Sequence, residues 1–123
     1  MLKGLIFLCL VAIAVAKEPS PCEGKHNVDQ NDWKTLNADT SKPSEKMLCF
    51  FKCIYEENGS TNSDGSINVE KMIENTHKWK PLTDDSKASI RECAKELGPV
   101  KTCADVNPSF QCIQKALKKQ GTA

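Results

Sequence analysis

Two cysteines in one helical stretch constrain the fold of this chain more than any other feature. Cys49 and Cys53 lie four residues apart in the segment MLCFFKCIYEENG, where apolar residues recur at helical spacing. Side chains four residues apart share one face of a helix, but their Cβ atoms lie roughly 5–6 Å apart. In a disulfide the two Cβ atoms lie only about 4 Å apart. We therefore expect these two cysteines to bond to two different segments, which makes this helix the hub of the domain.

The first sixteen residues have the composition of a secretory signal peptide. Lys3 precedes an apolar run at 5–15, and the run leads into the small-residue cleavage pattern AVA at 14–16. The segment is too short to span a membrane, and no later stretch is apolar enough to do so. We expect residues 1–16 to be removed and residues 17–123 to form one secreted, extracellular domain.

Removal of this segment leaves six cysteines, because Cys9 is lost with it. An even number of cysteines in a short secreted chain indicates a disulfide framework. Of the roughly fifteen pairings that six cysteines allow, those that contain Cys49–Cys53 are excluded by the helix geometry. Spacing alone does not choose among the others.

Apolar periodicity predicts an all-α fold. Four segments have clear helical spacing, a fifth is weaker, and sustained apolar/polar alternation is nearly absent. Capping residues and helix-stopping residues give the approximate limits. The segments run from Ser44 to Asn58, from the cap Asn68 through Lys78, from the cap Thr83 to a stop at Gly98-Pro99, from the cap Asn107 through Leu117, and, more weakly, over 28–36.

A polar segment at residues 58–71 reads NGSTNSDGSINVEK and matches an EF-hand calcium loop only in part. Gly65 suits position six, but position one is Ser60 and position twelve is Lys71 instead of the bidentate glutamate. We therefore predict a local turn at Asp64-Gly65 and no metal site.

Composition and motifs argue against catalysis and against several classes of partner. The chain has no nucleophile motif, no paired-histidine metal motif and no phosphate-binding loop, so we predict no enzyme and no cofactor. Without Lys3 the acidic and basic residues balance, which gives no reason to expect nucleic-acid binding or membrane insertion. Asn58-Gly59-Ser60 is a sequon, and Asn58 is a candidate glycosylation site.

The cysteine spacing resembles that of a known family. It reads Cys22-x26-Cys49-x3-Cys53-x39-Cys93-x9-Cys103-x8-Cys112. With its two short gaps and helical segments, it is similar to the six-cysteine signature of insect odorant-binding proteins, over nearly all of 17–123. The resemblance implies the disulfides Cys22–Cys53, Cys49–Cys103 and Cys93–Cys112. It also implies a compact, disulfide-stapled bundle of five to six helices around an apolar cavity.

That resemblance implies a secreted carrier for small hydrophobic ligands such as odorants, pheromones or fatty acids. Periodicity cannot separate a filled core from a pocket wall, so the apolar helical faces supply the pocket candidates, with Tyr55, Thr76 and His77 as polar anchors. The candidates are Met47, Leu48, Phe51, Ile54, Tyr55, Met72, Ile73, Thr76, Trp79, Ile90, Leu97, Phe110, Ile113 and Leu117.

The N-terminus departs from the family pattern. A helix usually precedes the first cysteine in the family, but here two prolines within 17–21 are expected to prevent it. The pocket is then expected to be shallower, more open, or closed by a second copy of the chain. The expected partners other than the ligand are a membrane receptor, to which such a carrier delivers its ligand, or a homodimer partner. The alternative function is a secreted, disulfide-stabilised helical protein that binds another protein and has no internal ligand pocket.

Overall fold

Helices account for most of the chain in the computed structural model, which describes residues 21–121. Within these residues there is no β-strand, only an isolated bridge between Thr61 and Ile67. The all-α prediction is confirmed. The predicted signal peptide, residues 1–16, lies outside the described residues. The elements are α1 (Pro21–His26), α2 (Gln30–Ala38), α3 (Glu45–Asn58), α4 (Val69–Trp79), α5 (Asp84–Ala94), a 3-10 turn (Ala104–Val106) and α6 (Asn107–Lys119).

The predicted starts of α3, α4 and α5 are confirmed. Ser44, Asn68 and Thr83 each accept a hydrogen bond from the backbone N–H three residues later, at 3.2, 3.1 and 3.1 Å. Such caps satisfy one of the N–H groups that a helix start leaves unpaired. α3 ends where predicted, because Gly59 adopts the left-handed conformation (φ 79°) that glycine tolerates best.

α5 ends at Ala94, four residues before the predicted stop. Its hydrogen bonds tighten after Glu92: the N–H groups of residues 95, 96 and 97 donate to carbonyls three residues back. This 3-10 pattern is a common way to end a helix. Leu97 therefore lies beyond the helix and is half-buried.

α6 is entered through a turn that the sequence did not indicate. Asn107 is not a cap; it is already helical and continues directly from the 3-10 turn, and neither element has a side-chain cap. The segment is fixed instead by Asp105, whose carboxylate accepts from the N–H groups of Lys101 and Thr102 at 2.9 and 2.8 Å. These bonds lower the pKa of Asp105, the bond from Thr102 most.

The two N-terminal helices also differ from expectation. No helix was predicted at α1. The predicted lack of a helix before Cys22 concerned residues 17–21, of which 17–20 lie outside the described residues. Pro21 is the first residue of α1, a position where the missing N–H breaks no helical bond. α2 lies two residues later than predicted, since Asp29 and Asp32 form a reciprocal capping box that sets its start.

Three disulfides hold the helices together. Cys22–Cys53 ties α1 to α3, Cys49–Cys103 ties α3 to the start of the 3-10 turn, and Cys93–Cys112 ties α5 to α6. Their Cα–Cα distances are 5.8, 4.6 and 5.9 Å, within the usual range. These are the pairs that the family resemblance implies, and α3 bonds to two other segments.

The core consists of two clusters of buried side chains, and Phe51 of α3 packs against both. The first cluster, which we call the C-terminal cluster, contains Tyr55, Met72, Ile73, Leu82, Ile90, Val100, Val106, Cys112, Ile113, Ala116 and Leu117. The second, the N-terminal cluster, contains Cys22, Leu36, Met47, Phe50 and Phe110. The two clusters therefore meet at Phe51.

Candidate ligand-binding cleft

A cleft of about 320 Å³ lies between the two clusters. α3 supplies Phe50, Phe51, Ile54, Tyr55 and Asn58, so one helix face forms much of the wall. The remaining lining comes from the other helices and the loop after α3, through Glu23, Trp33, Ser60, Met72, Asn75, Thr76, Trp79, Phe110, Ile113 and Gln114. The volume lies at the lower end of the ~300–1,000 Å³ that small-molecule sites occupy.

Four aromatic rings form one continuous side of the cleft. Trp33 meets Phe50 edge-on at 5.6 Å and Phe51 at 6.1 Å between ring centroids. Phe51 stacks on Phe110 at 5.1 Å. Rings in these geometries attract one another beyond their area of contact, which keeps this wall in a defined shape.

Trp79 marks an open edge of the cleft. Its side chain lines the cleft, yet 59% of the residue is accessible to solvent. It is the one large hydrophobic residue that is exposed in residues 21–121. The cleft is therefore open to solvent beside Trp79.

Most polar groups in the wall are already paired with the protein. The hydroxyls of Tyr55 and Ser109 share a hydrogen bond at 3.1 Å, and burial raises the pKa of Tyr55 to about 12. The Thr76 hydroxyl donates to the Met72 carbonyl at 2.8 Å, within its own helix. Neither group therefore needs a ligand to satisfy it.

A small network around Asn75 closes one corner of the cleft. The Asn75 amide donates to the Asn58 carbonyl at 3.0 Å and to the Ser60 hydroxyl at 3.1 Å. The candidate glycosylation site, Asn58, accepts from the Ser60 N–H at 3.1 Å and is half-buried against the cleft. The sequon is thus part of the folded wall, and modification of Asn58 stays a prediction.

Gln114 differs from these groups. It is 6% exposed and lines the cleft from α6, but its side-chain amide has no hydrogen-bond partner within residues 21–121. The one fully enclosed and unpaired side-chain polar atom in the same residues is Thr61 Oγ1. The Gln114 amide therefore keeps some accessible surface, and the cleft is the space that it faces.

Of the fourteen pocket candidates predicted from sequence, eight line the cleft: Phe51, Ile54, Tyr55, Met72, Thr76, Trp79, Phe110 and Ile113. Their contact with a ligand stays a prediction. Helical spacing identified them because the cleft wall and the core belong to the same apolar faces.

The other six candidates do not line the cleft: Met47, Leu48, Ile73, Ile90, Leu97 and Leu117. Ile73, Ile90 and Leu117 fill the C-terminal cluster, and Met47 fills the N-terminal one. His77 is not a cleft anchor either, because its Nδ1 accepts the Leu82 N–H at 2.9 Å.

Sequence reasoning missed seven lining residues: Glu23, Trp33, Phe50, Asn58, Ser60, Asn75 and Gln114. Trp33 was recognised only as part of a weak helix. Phe50 and Gln114 lie beside the expected apolar stripes of their helices, so periodicity excluded them. For the other polar residues, no pattern in the sequence indicates that they line a cleft.

Residues 61–65 of the loop between α3 and α4 form a separate depression of about 580 Å³, with Lys52 and Glu56 of α3 and with Val100 and Lys101. The Asp64 carboxylate accepts from the N–H and hydroxyl of Ser66 at 2.9 and 2.6 Å, and these two bonds lower the pKa of Asp64. The predicted turn at Asp64-Gly65 is present, with Gly65 at φ 88°. The Asp64 oxygen is used to fix the turn.

Comparison with known proteins identifies a family for this fold. Residues 15–116 match the model of the PBP/GOBP family, which covers well over half of the chain. No curated protein and no solved structure gives a significant match.

Proposed function

Because this chain belongs to the PBP/GOBP family, we propose that it is a secreted carrier that binds and solubilises small hydrophobic molecules in an extracellular fluid. The observation that carries the proposal is the aromatic and aliphatic cleft between the two core clusters. A protein that binds only other proteins has no need of such a space, so the cleft favours the carrier over that alternative.

Secretion is supported by the N-terminal sequence and by cysteine chemistry. Residues 1–16 have the pattern of a signal peptide, and three disulfides persist only in an oxidising compartment. Within residues 21–121, no helix combines the length and the apolar character that crossing a bilayer requires.

The mechanism of binding is desolvation of an apolar ligand. A ~150 Å³ apolar cavity holds one benzene molecule, so the cleft suits a ligand of about a dozen non-hydrogen atoms. At roughly 0.5 kcal/mol per atom, between the limits for very small and drug-sized ligands, such a ligand binds with a Kd of about 10–100 µM. A longer ligand can extend past Trp79 into solvent.

The function is tested by titration of the oxidised protein, residues 17–123, with an environment-sensitive phenylnaphthylamine fluorophore. Long-chain alcohols, terpenoids and fatty acids then compete for the site. We expect saturable one-site binding that competitors reverse. Absence of saturable binding, with the disulfides intact, would contradict the proposal.

A pair of variants tests whether that binding occurs in the cleft. Trp79→Ala removes an exposed lining side chain without loss of core packing, and we expect it to weaken fluorophore binding roughly fivefold or more. Lys78→Ala is the matched control, since Lys78 is exposed, neighbours Trp79 and does not line the cleft. Equal affinities of the two variants would place the binding elsewhere.

A further inference from the structure

Gln114 is a buried polar side chain of the cleft that makes no hydrogen bond to the described residues, whereas the lining residues Glu23, Trp33 and Trp79 are more exposed to solvent. A carboxamide has two N–H donors and an acceptor oxygen. Burial of such a group without a partner costs free energy, so polar side chains inside proteins are normally paired. Gln114 is 6% exposed, and no described residue bonds to its amide.

The contrast with its neighbours in the wall makes this position specific. The hydroxyls of Tyr55 and Thr76 and the amide N–H groups of Asn75 are bonded to protein atoms. Gln111, one turn earlier on α6, donates to the Thr40 carbonyl at 2.9 Å and to Asn107 Oδ1 at 3.1 Å. Gln114 has the same side chain on the same helix and lacks both kinds of bond.

Charge in the cleft limits which ligand can supply that partner. Among the lining residues Glu23 is the one with a charged side chain, and no lysine, arginine or histidine is present. A ligand carboxylate placed inside would be desolvated without a cation to compensate it and would be repelled by Glu23. A hydroxyl or a carbonyl has no such penalty and can pair with an amide.

We propose that the Gln114 amide is the hydrogen-bonding anchor of the cleft and that it selects neutral ligands with a hydroxyl or carbonyl group over hydrocarbons and over carboxylate anions. The inference rests on the proposed carrier function and assigns its ligand class. The apolar wall binds the chain of the ligand, and Gln114 determines where its oxygen lies.

The test compares ligands of equal size in wild-type protein and in Gln114→Met, which keeps the side-chain length and removes the amide. The ligands are 1-nonanol and n-decane, both displacing the bound fluorophore, with nonanoate at pH 7 as the anion. We expect the substitution to reduce the preference for 1-nonanol over n-decane about three- to tenfold, the range for one hydrogen bond. Binding of n-decane should not weaken.

Gln111→Met is the matched control, because Gln111 has the same side chain on the same helix, is already bonded to Thr40 and Asn107, and does not line the cleft. It should leave the preference between the two ligands unchanged. Gln114→Leu also removes the amide. It should show the same reduced preference for 1-nonanol over n-decane, and it replaces Gln114→Met if that variant folds poorly. In wild type, nonanoate should bind at least tenfold more weakly than 1-nonanol.

Failure of the anchor and failure of the carrier are separate results. If the wild type binds fluorophore and both neutral ligands, but the Gln114 variants keep the same preference, the anchor is refuted and the carrier stands. Nonanoate binding as tight as 1-nonanol would refute the selection against anions. If no ligand displaces the fluorophore from wild type, or the fluorophore does not bind, both proposals fall.

Discussion

Two glutamines one turn apart on α6 give the account a test at the scale of single residues. Gln111→Met should lower the free energy of unfolding by about 1–2 kcal/mol, because it leaves the Thr40 carbonyl and Asn107 without their donor. Gln114→Met should raise it by about 1 kcal/mol in the ligand-free protein, since an unpaired buried amide is lost. Urea denaturation measures both. A loss of stability in Gln114→Met would show that its amide makes a structural bond.

Tyr55 offers a second test, because it is the only tyrosine of the chain and its absorbance can be followed alone. Burial raises its pKa to about 12, against about 10 in an unfolded chain. The folded state thus holds the phenol proton more tightly. The protonated Tyr55 phenol therefore contributes its full stabilisation below pH 10. As the pH rises from 10 towards 12, the free energy of unfolding falls by up to about 3 kcal/mol.

The measurement is a spectrophotometric titration in buffer and in urea, with midpoints expected near 12 and near 10. Tyr55→Phe has no phenol to ionise, so its free energy of unfolding should fall less than that of the wild type between pH 10 and 12. A native midpoint near that of the unfolded chain would mean that the hydroxyl reaches solvent, which would contradict the closed packing beside Ser109.

At the scale of elements, the sequence predicted the starts of α3, α4 and α5 and the end of α3. It missed α1, the start of α2, the entry into α6 and the end of α5. Starts depend on one side chain and a local bond, as at Ser44, Asn68 and Thr83. The end of α5 depends instead on how the chain leaves towards Val100, which packs against a distant loop. α1 was missed for a related reason: Pro21 is compatible with a first helical position, and tertiary contacts and a disulfide through Cys22 then hold a six-residue helix.

The loop between α3 and α4 approaches Val100 closely at Gly65. Gly65 has φ 88°, its carbonyl accepts the Val100 N–H at 2.7 Å, and a Cβ there would lie 2.6 Å from the Val100 oxygen. Gly65→Ala should therefore cost about 2 kcal/mol or more in unfolding free energy.

Gly98→Ala is the control for this substitution. A Cβ added at Gly98 would meet no other part of the fold within 4 Å, and the backbone there is not in the left-handed region. The substitution should change stability by no more than about 0.5 kcal/mol in thermal or urea unfolding. Equal effects of the two substitutions would mean that the loop does not dock on Val100.

At the scale of the whole molecule, the disulfides hold together segments that lie far apart in the sequence. Cys49–Cys103 closes a sequence separation of 54 and Cys93–Cys112 one of 19. By loop entropy, replacing both cysteines with alanine should cost about 4 kcal/mol for the first pair and about 3 for the second. Urea denaturation of the two double variants shows which pair of substitutions lowers the free energy of unfolding more. A larger loss for the pair that closes the shorter loop would contradict it.

The sequence predicted the fold class and identified α3 as the hub, because cysteine spacing and apolar periodicity are local signals. The cleft was only partly predictable. Ile54 and Ile90 have the same helical pattern, yet one lines the cleft and the other fills the core. Which apolar residue faces empty space depends on how helices from both ends of the chain meet. A single helical face contains no information about that.

The most direct test of a ligand site in the cleft uses the two tryptophans of the chain, since both line it. Trp33→Phe leaves Trp79 as the reporter, and Trp79→Phe leaves Trp33. With 1-nonanol, both single-tryptophan proteins should show a saturable change in emission with stoichiometry of one and closely similar Kd values. An unchanged Trp33 emission, with a change only at the exposed Trp79, would contradict a ligand inside the cleft.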